Sequence, residues 1–197
     1  MSLNLYKYHT NPETIAGYDQ AMNSVPHLAW DHFRNKPKEL RKREHIWAQS
    51  AEYSHLYAIY VLKGERFEKG EDAIATDARW SCNYAKDVLK GRFEKGEDAI
   101  ATDAGYSLIY VTDVLDGKRV KKFEDAIVTS AQYSYWYARE VLKGRSEKFE
   151  DAIATDVWYS YAYVRDVLKG ERFEKGEDVI RGSEYKSRYE HLTGVKL

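Results

Sequence analysis

Apolar and polar positions along this chain repeat together with a period of 26 or 27 residues, from about Ile46 to the C-terminus. Each repeat contains a short segment, EKGEDAIAT or a variant, followed by a longer one of the form AxYSxxYAxxVL. Small and apolar residues of the longer segment lie three and four apart, as on one face of a helix. The pattern therefore predicts one short and one longer α-helix per repeat. The repeats align on a serine of the longer helix: Ser54, Ser81, Ser107, Ser134, Ser160 and Ser187.

Capping residues mark the predicted ends of the longer helix. Four residues before the aligned serine stands a residue type that commonly caps a helix N-terminus. These predicted N-caps are Ser50, Asp77, Asp103, Ser130, Asp156 and Ser183. The glycine after the last apolar residues is the expected C-cap, which gives Gly64, Gly91, Gly117, Gly144 and Gly170. The extra residue of the longer repeats falls in the turn after this glycine, so both helices are expected to keep their lengths.

Repeated apolar residues predict how the helices pack. A stripe of small residues on the longer helix, such as Ala78, Ser81 and Ala85, lets another backbone approach closely. The short helix contributes one isoleucine per repeat: Ile74, Ile100, Ile127, Ile153 and Ile180. A phenylalanine stands in the turn in three repeats, at Phe67, Phe93 and Phe173. In two others it stands three residues further on, at Phe123 and Phe149, in place of a glycine. We expect both placements to keep the ring on one helix face.

A fixed period is typical of stacked repeat proteins, in which each repeat buries its apolar face against its neighbours. We therefore predict an all-α fold, a solenoid of short helix-turn-helix repeats with N- and C-terminal helical caps. Residues 1–43 form the predicted N-terminal cap, with one helix over Pro12–Met22 and another that opens at Pro26 and ends before Pro37. Residues 44–182 form the repeat array. Residues 183–197 form a degenerate C-terminal capping repeat, and the whole is expected to be one continuous domain.

Composition narrows the class of protein without identifying a ligand. With 31 Lys and Arg against 32 Asp and Glu, the chain has no net field that would attract nucleic acid or an anionic membrane. The single cysteine, Cys82, excludes an internal disulfide and fits a reducing compartment. No run of about 18 apolar residues and no apolar leader segment occurs. We therefore expect a soluble cytoplasmic protein that does not bind membranes.

Few residues have the spacing that catalysis or metal binding requires. His27 and Asp31 are four apart on one predicted helix, with His32 beside them, but no third ligand is visible. A Glu-Asp pair opens every short helix, and a repeated pair favours interaction with the helix dipole over catalysis. Motifs for phosphate binding, dinucleotide binding, zinc proteolysis and serine hydrolysis are absent. We predict no enzymatic activity, no cofactor and no metal.

Three positions of the longer helix differ between repeats while the core positions scarcely change. They lie two residues before, two after and five after the aligned serine, and this spacing places them in one stripe. Tryptophan and arginine, which anchor many protein interfaces, occur in the stripe. Unconstrained drift is the alternative, but drift seldom leaves tryptophan and isoleucine in water. The predicted partner-binding residues are Leu56, Ile59, Arg79, Asn83, Lys86, Ile109, Gln132, Trp136, Arg139, Trp158 and Arg165.

The repeated wording DAIATDxxYSYxYAxDVLKGxRFEKGEDAI resembles a largely uncharacterised group of short tyrosine-rich α-helical repeat proteins of bacteria and bacteriophages. The resemblance covers about residues 46 to 182. It implies an α-helical array and a phage origin, and it carries over neither a catalytic residue nor a known ligand.

These observations favour a non-enzymatic repeat protein that binds a partner protein through the variable face of its longer helices. A phage origin makes a host defence protein, bound and blocked in the host cytoplasm, the expected partner. Two alternatives stay open. Basic turns such as Lys90-Gly91-Arg92 and Lys143-Gly144-Arg145 favour nucleic-acid binding, although the adjacent Glu-Lys-Gly-Glu-Asp cancels their charge. A scaffold that self-assembles into homo-oligomers is the third hypothesis.

Overall fold

The computed structural model describes residue 17 and residues 20–197, and all regular structure in these residues is helical. The all-α prediction is therefore confirmed. The predicted first helix, Pro12–Met22, lies largely outside the described residues. The chain divides into two compact units, Met1–Glu97 and Asp98–Leu197, and the short helix Glu97–Ile100 contains the division.

In the part of the first unit that the structure describes, six α-helices precede that division, three of them before the first complete repeat. They are α1 (Pro26–Phe33), α2 (Pro37–Arg41), α3 (Glu44–Trp47), α4 (Ala51–Tyr60), α5 (Glu71–Ile74) and α6 (Ala78–Tyr84). Helix α1 opens at Pro26 as predicted, and its N-cap is Val25; the Ser24 hydroxyl donates to the Gln20 carbonyl. Pro37 is the first residue of α2. Proline is suited to this position because the backbone N–H that it lacks would have no partner in the first helical turn.

The second unit continues the alternation of short and longer helices. After the helix α7 (Glu97–Ile100) come α8 (Ala104–Asp113), α9 (Lys121–Ile127), α10 (Ala131–Tyr137), α11 (Glu147–Ile153), α12 (Val157–Asp166), α13 (Glu177–Arg181) and α14 (Lys186–Thr193). The five isoleucines predicted for the core of the short helices are all fully buried.

The aligned serine joins the two helices of a repeat. A short helix leaves its last carbonyls without intrahelical donors, and the serine hydroxyl supplies one. Ser81 donates to the Ile74 carbonyl over 2.8 Å, and Ser160 donates to that of Ile153 over 3.0 Å. The aligned serines from Ser54 to Ser160 are all fully buried. Serine is therefore required for its hydroxyl as well as for its small size. Ser187 is exposed, so the alignment does not extend to the last repeat.

The N-caps of the longer helices largely follow the prediction. Side chains of Asp77, Asp103 and Asp156 accept from a backbone N–H three residues on, at 2.8–2.9 Å, and Ser50 does so at 3.5 Å. Ser130 occupies the N-cap position of α10 without such a bond. The prediction for Ser183 is wrong, because α14 begins three residues later and the Ser183 hydroxyl donates to the Ile180 carbonyl.

The C-terminal ends of the longer helices differ from the prediction. After each longer helix the residue before the glycine is left-handed, with φ between 52° and 58°: Lys63, Lys90, Asp116, Lys143 and Lys169. It caps the helix at Lys90 and Lys143 and lies in the following turn in the other three repeats. A residue with a Cβ pays about 1 kcal/mol for this conformation, so lysine is not the sterically preferred choice there.

The missing residue of the shorter repeats is absorbed inside the helix. Gly64, Gly117 and Gly170, in the longer repeats, also have positive φ and lie in the turn. In the two shorter repeats the longer helix instead ends in a π-helical turn, Ala85–Leu89 and Ala138–Leu142. The expectation that the helices are unchanged by the extra residue is therefore wrong for their last turn.

Phenylalanine packs between neighbouring repeats from either of its two sequence positions. Phe67 from a turn and Phe149 from a helix both lie against the tyrosine of the preceding longer helix, with ring centroids 4.8 and 4.9 Å apart. Where the ring comes from the turn, a short 3₁₀ segment precedes the short helix, and a glycine leaves room for the ring. A Cβ on Gly70 would lie 2.5 Å from Phe67 Cδ1 and would also meet the Ser54 side chain. The predicted equivalence of the two positions is confirmed.

This exchange predicts a compensating pair of substitutions. Gly70→Phe alone should destabilise the first unit by roughly 1–3 kcal/mol, since two rings would compete for one space. Adding Phe67→Val, which reproduces Val120 and Phe123 of another repeat, should recover most of that loss. Urea unfolding of both single variants and the double variant measures the coupling. Additive effects would show that the two positions do not share one space.

Candidate binding surface

The polar residues common to the repeats form a hydrogen-bond network inside each repeat. The turn arginine donates to a glutamate five residues on: Arg66 Nε and Nη2 lie 2.6 and 2.9 Å from the two oxygens of Glu71. The Tyr84 hydroxyl, 3.3 Å from the same carboxylate, accepts the Phe67 backbone N–H at 2.7 Å. Turn, short helix and longer helix are thereby connected at one buried point.

The same network recurs in the second unit with small changes. Arg172 donates to both oxygens of Glu177 at 2.6 and 2.9 Å, and the Tyr189 hydroxyl donates to that carboxylate at 2.9 Å. Arg172 is the main cause that lowers the pKa of Glu177. Here the tyrosine follows the glutamate by 12 residues, one fewer than in the other repeats. This shift explains why Ser187 falls out of alignment.

The structure gives the two acids of each repeated Glu-Asp pair different roles. The glutamate is at most 6% exposed and belongs to the internal network. The aspartate faces solvent, and in every pair except the last, that of Asp178, it is ion-paired with a lysine of the following repeat. Lys122 donates to Asp98 at 2.9 Å and Lys175 to Asp151 at 2.6 Å, while Lys95 is paired with Asp72 in the first unit. The helix-dipole interpretation of these pairs was therefore incomplete.

In the first unit the predicted partner-binding residues lie at the surface of the longer helices. Arg79 and Lys86 are exposed, whereas Leu56, Ile59 and Asn83 are half-buried. The Arg79 guanidinium lies 4.7 Å from the Trp80 ring centroid. The neighbouring Tyr60 side chain is 70% exposed but does not belong to the stripe. One longer helix therefore contributes apolar side chains to this surface, and the next contributes cations.

In the second unit the predicted residues include exposed aromatic side chains. Trp158 is 43% exposed, and its ring lies 5.5 Å from that of Tyr185 and 6.3 Å from that of Tyr161. Ile109, Gln132, Arg139 and Arg165 are exposed, and Trp136 is half-buried. Two positions of the same stripe, Gly105 and Ala162, are buried. The stripe is therefore a surface interrupted where a small residue lets a neighbour approach.

Each tryptophan of this face is paired with an arginine. The Arg139 guanidinium lies 4.9 Å from the Trp136 centroid, and that of Arg165 lies 5.5 Å from the Trp158 centroid. Asp166 connects the two pairs. It accepts two bonds of 2.7 Å from Arg165 and one of 2.6 Å from the Tyr135 hydroxyl. Chiefly through Arg165, the pKa of Asp166 is lowered to about 2.

A cleft of about 320 Å³ opens next to this cluster. It lies between the ends of two longer helices of the second unit and is lined by Arg139, Glu140, Lys143, Asp166, Val167 and Lys169. Three of these six side chains are cationic. Arg139 belongs both to the variable stripe and to the cleft, so the two features form one continuous surface.

Two positions that contribute to the surface were not predicted from the sequence. The residue after the aligned serine contacts an acid of the next repeat, as Tyr135 contacts Asp166 in the second unit. In the first unit the same positions hold His55 and Asp87, whose nearest N and O atoms are 3.8 Å apart. Burial lowers the pKa of His55, and Asp87 opposes that effect. The signal was present, because an acid recurs six residues after the serine in four repeats: Asp87, Asp113, Glu140 and Asp166.

The described part of the chain contains neither a metal-ligand cluster nor a membrane-spanning helix. In residue 17 and residues 20–197, no three His, Cys, Asp or Glu side chains lie close enough together to hold a metal ion, and His27 and Asp31 are included in that range. Cys82 is fully buried. None of the helices in the described part of the chain has the length and apolarity needed to cross a bilayer.

Comparisons with protein-family models, curated proteins and solved structures give no match.

Buried tyrosines predict how stability changes at alkaline pH. Burial raises the pKa of Tyr84, Tyr163 and Tyr189 to about 12, against about 10 in an unfolded chain. Because the folded pKa is higher, the contribution to stability is complete below pH 10 and is lost as the pH rises through 12. Each tyrosine should lower the free energy of unfolding by up to ~1.4 kcal/mol per pH unit in that window. Chemical denaturation between pH 8 and about 12 measures the slope.

Tyr163→Phe should reduce this slope, whatever it does to stability at neutral pH. Tyr60→Phe makes the same chemical change on an exposed side chain and serves as the control. Equal slopes for the Tyr163 variant and the unmodified protein would contradict the assignment of alkaline instability to the buried tyrosines.

Proposed function

We propose that this protein is a non-enzymatic helical-repeat protein that binds a partner protein through the variable face of its longer helices. The observation that carries the proposal is that the repeated polar residues are bonded inside the fold, whereas the predicted partner-binding residues are not buried. Repeated polar residues are engaged in bonds inside the fold, as Glu177 is with Arg172 and Tyr189. None of the eleven predicted partner-binding residues is buried, and Trp158 is 43% exposed.

An exposed tryptophan flanked by arginine is a typical interface anchor. Tryptophan contributes a large apolar area, and arginine contributes planar donors that bind acceptors on a partner. Burying one such ring on association is favourable by about 1.5–3 kcal/mol. Two Trp–Arg pairs in the second unit give that unit more of this chemistry than the first.

Nucleic-acid binding through the basic turns has less support. The turn arginines Arg66, Arg92, Arg119, Arg145 and Arg172 are all ion-paired with a buried glutamate. A phosphate would have to compete with an internal bond for each guanidinium, and each lost bond would leave a buried carboxylate without its main donor. These arginines are better explained by the fold than by a ligand.

The resemblance to phage repeat proteins indicates where to look for the partner. We propose that it is a protein of a bacterial host, and that binding blocks a defence component. In this proposal the chain catalyses no reaction, and its effect comes from covering a surface of that protein.

We also propose that the repeats stack in chain order as a solenoid. Support comes from the contacts that recur between neighbouring repeats within each unit, namely the Phe–Tyr ring pair and the Lys–Asp ion pair. Small-angle X-ray scattering would test this: an elongated particle is expected, and a maximum dimension typical of a sphere of this mass would contradict it.

Capture from a bacterial lysate tests the binding face. A protein retained by the immobilised wild type should be lost with the variant Trp136→Ala plus Trp158→Ala. Interface anchors contribute roughly 2 kcal/mol or more each, so the loss of both should lower the affinity for that protein by roughly a thousandfold if their effects add. Isothermal titration with the purified partner measures the change.

Tyr60→Ala is the matched control, because it removes a more exposed aromatic ring outside the predicted stripe. Circular dichroism and thermal unfolding of each variant establish that the helices remain. If wild type, control and double variant retain the same proteins equally, the variable face is not the binding surface.

A further inference from the structure

The cleft of the second unit carries an excess of positive charge. Arg139, Lys143 and Lys169 line it, together with Glu140 and Asp166. Its two carboxylates already have partners. Asp166 is held by Arg165 and Tyr135, and Glu140 lies 3.2 Å from Arg139. Counting Arg165, which lies beside the cleft, four cations face two acids.

The two lysines account for that excess. In the described part of the chain neither Lys143 nor Lys169 forms an ion pair with a carboxylate. Both are left-handed, with φ of 53° and 55°: Lys143 is the C-cap of its helix, and Lys169 lies in the turn after the next longer helix. The backbone conformation therefore fixes the direction of each side chain, but it does not require that the side chain be a lysine. Asp116 adopts the same conformation in another repeat, with φ of 52°.

Apolar contact surface adjoins this charge. Arg139, on the wall of the cleft, packs on Trp136, and Asp166 is bonded to the arginine that packs on Trp158. A ligand that places a negative group in the cleft therefore has an aromatic surface within reach of its neighbouring residues. An isolated anion would contact the positive charge of the cleft but not the aromatic surface beside it.

We propose that the cleft binds a glutamate or aspartate side chain of the partner protein, within an acidic segment whose apolar side chains pack on Trp136 and Trp158. The inference rests on the proposed function and specifies the chemistry of the partner. Charge complementarity supports it: the cleft has unpaired ammonium groups, and its own carboxylates are already engaged.

A nucleic-acid backbone fits the cleft less well. A polyanion needs cations repeated at the spacing of its phosphates. The position of Arg139 holds Ile59 and Thr112 in two other repeats, and the position of the cleft lysines holds Asp116 in one of them, so the cations do not recur in every repeat. The local acids Glu140 and Asp166 would also repel adjacent phosphates. A single carboxylate between the two lysines meets neither obstacle.

Binding of two matched peptides to the full chain tests the proposal. One labelled peptide consists of Glu-Gly-Leu triplets and the other of Gln-Gly-Leu triplets, and fluorescence anisotropy measures their dissociation constants. The acidic peptide should bind at least about tenfold more tightly. Lys143→Asp plus Lys169→Asp should remove that preference. These changes copy the aspartate that another repeat carries in the same backbone conformation, so folding should be retained.

Lys63→Asp plus Lys90→Asp is the control. It makes the same change of charge at residues with the same backbone conformation, but in the first unit. Unchanged binding by this control and weakened binding by the cleft variant support the proposal. Equal affinity for both peptides, tighter binding of a thymidine oligonucleotide, or no binding of the acidic peptide up to about 1 mM would each overturn it.

The Trp136→Ala plus Trp158→Ala variant separates this inference from the proposed function. If both peptides bind equally and both are lost with the tryptophan variant, the face binds ligands and only its acidic preference is refuted. If the acidic peptide depends on the lysines and not on the tryptophans, the cleft is a carboxylate site and the tryptophan face is not the anchor.

Discussion

The constraint on which each repeat depends is a glutamate removed from water. A buried carboxylate is tolerated only where charged or strong hydrogen-bond donors replace its hydration. Here the turn provides an arginine and the longer helix provides a tyrosine hydroxyl, as Arg172 and Tyr189 do for Glu177. The arginine remains half-exposed, so the pair loses less hydration than a fully buried ion pair. Three elements are thereby held at one point, and hydrophobic contacts alone would not specify their mutual position so narrowly.

Apolar contacts then join one repeat to the next. The phenylalanine ring reaches the tyrosine of the preceding longer helix from either of two sequence positions, and the centroid distance changes little, from 4.8 Å for Phe67 to 4.9 Å for Phe149. What the packing requires is a ring in that space, whichever backbone position supplies it. Polar bonds therefore shape the repeat, and aromatic packing connects repeats within each unit.

Much of the local structure could be predicted because short-range signals determine it. Asp77, Asp103 and Asp156 cap helices as expected, the isoleucines are buried, and the alternative phenylalanine positions are equivalent. Helix C-termini could not be predicted in the same way. Glycine was expected to cap these helices, but a lysine or aspartate before it is already left-handed, and the glycine has positive φ only in the longer repeats. The π-helical turns that absorb a missing residue have no sequence signature of their own.

The surface was predictable only in part, because its geometry comes from residues in different repeats. Variable positions such as Arg139 and Trp158 were identified by comparing repeats, and they do lie at the surface. The cluster of Tyr135 with Asp166 spans 31 residues of sequence. The burial of Gly105 and Ala162 within the stripe likewise depends on neighbouring helices, which no single-helix pattern contains.

The placement of the polar bonds has a consequence for how such a gene can change. Arg66, Phe67, Glu71 and Tyr84 lie within a single period of sequence, so the buried glutamate finds its arginine and its tyrosine in the same copy. Unequal crossing-over that inserts or deletes one whole period would add or remove a complete set of partners. The number of repeats, and with it the number of variable surface positions, can therefore change by recombination without first passing through an unstable intermediate.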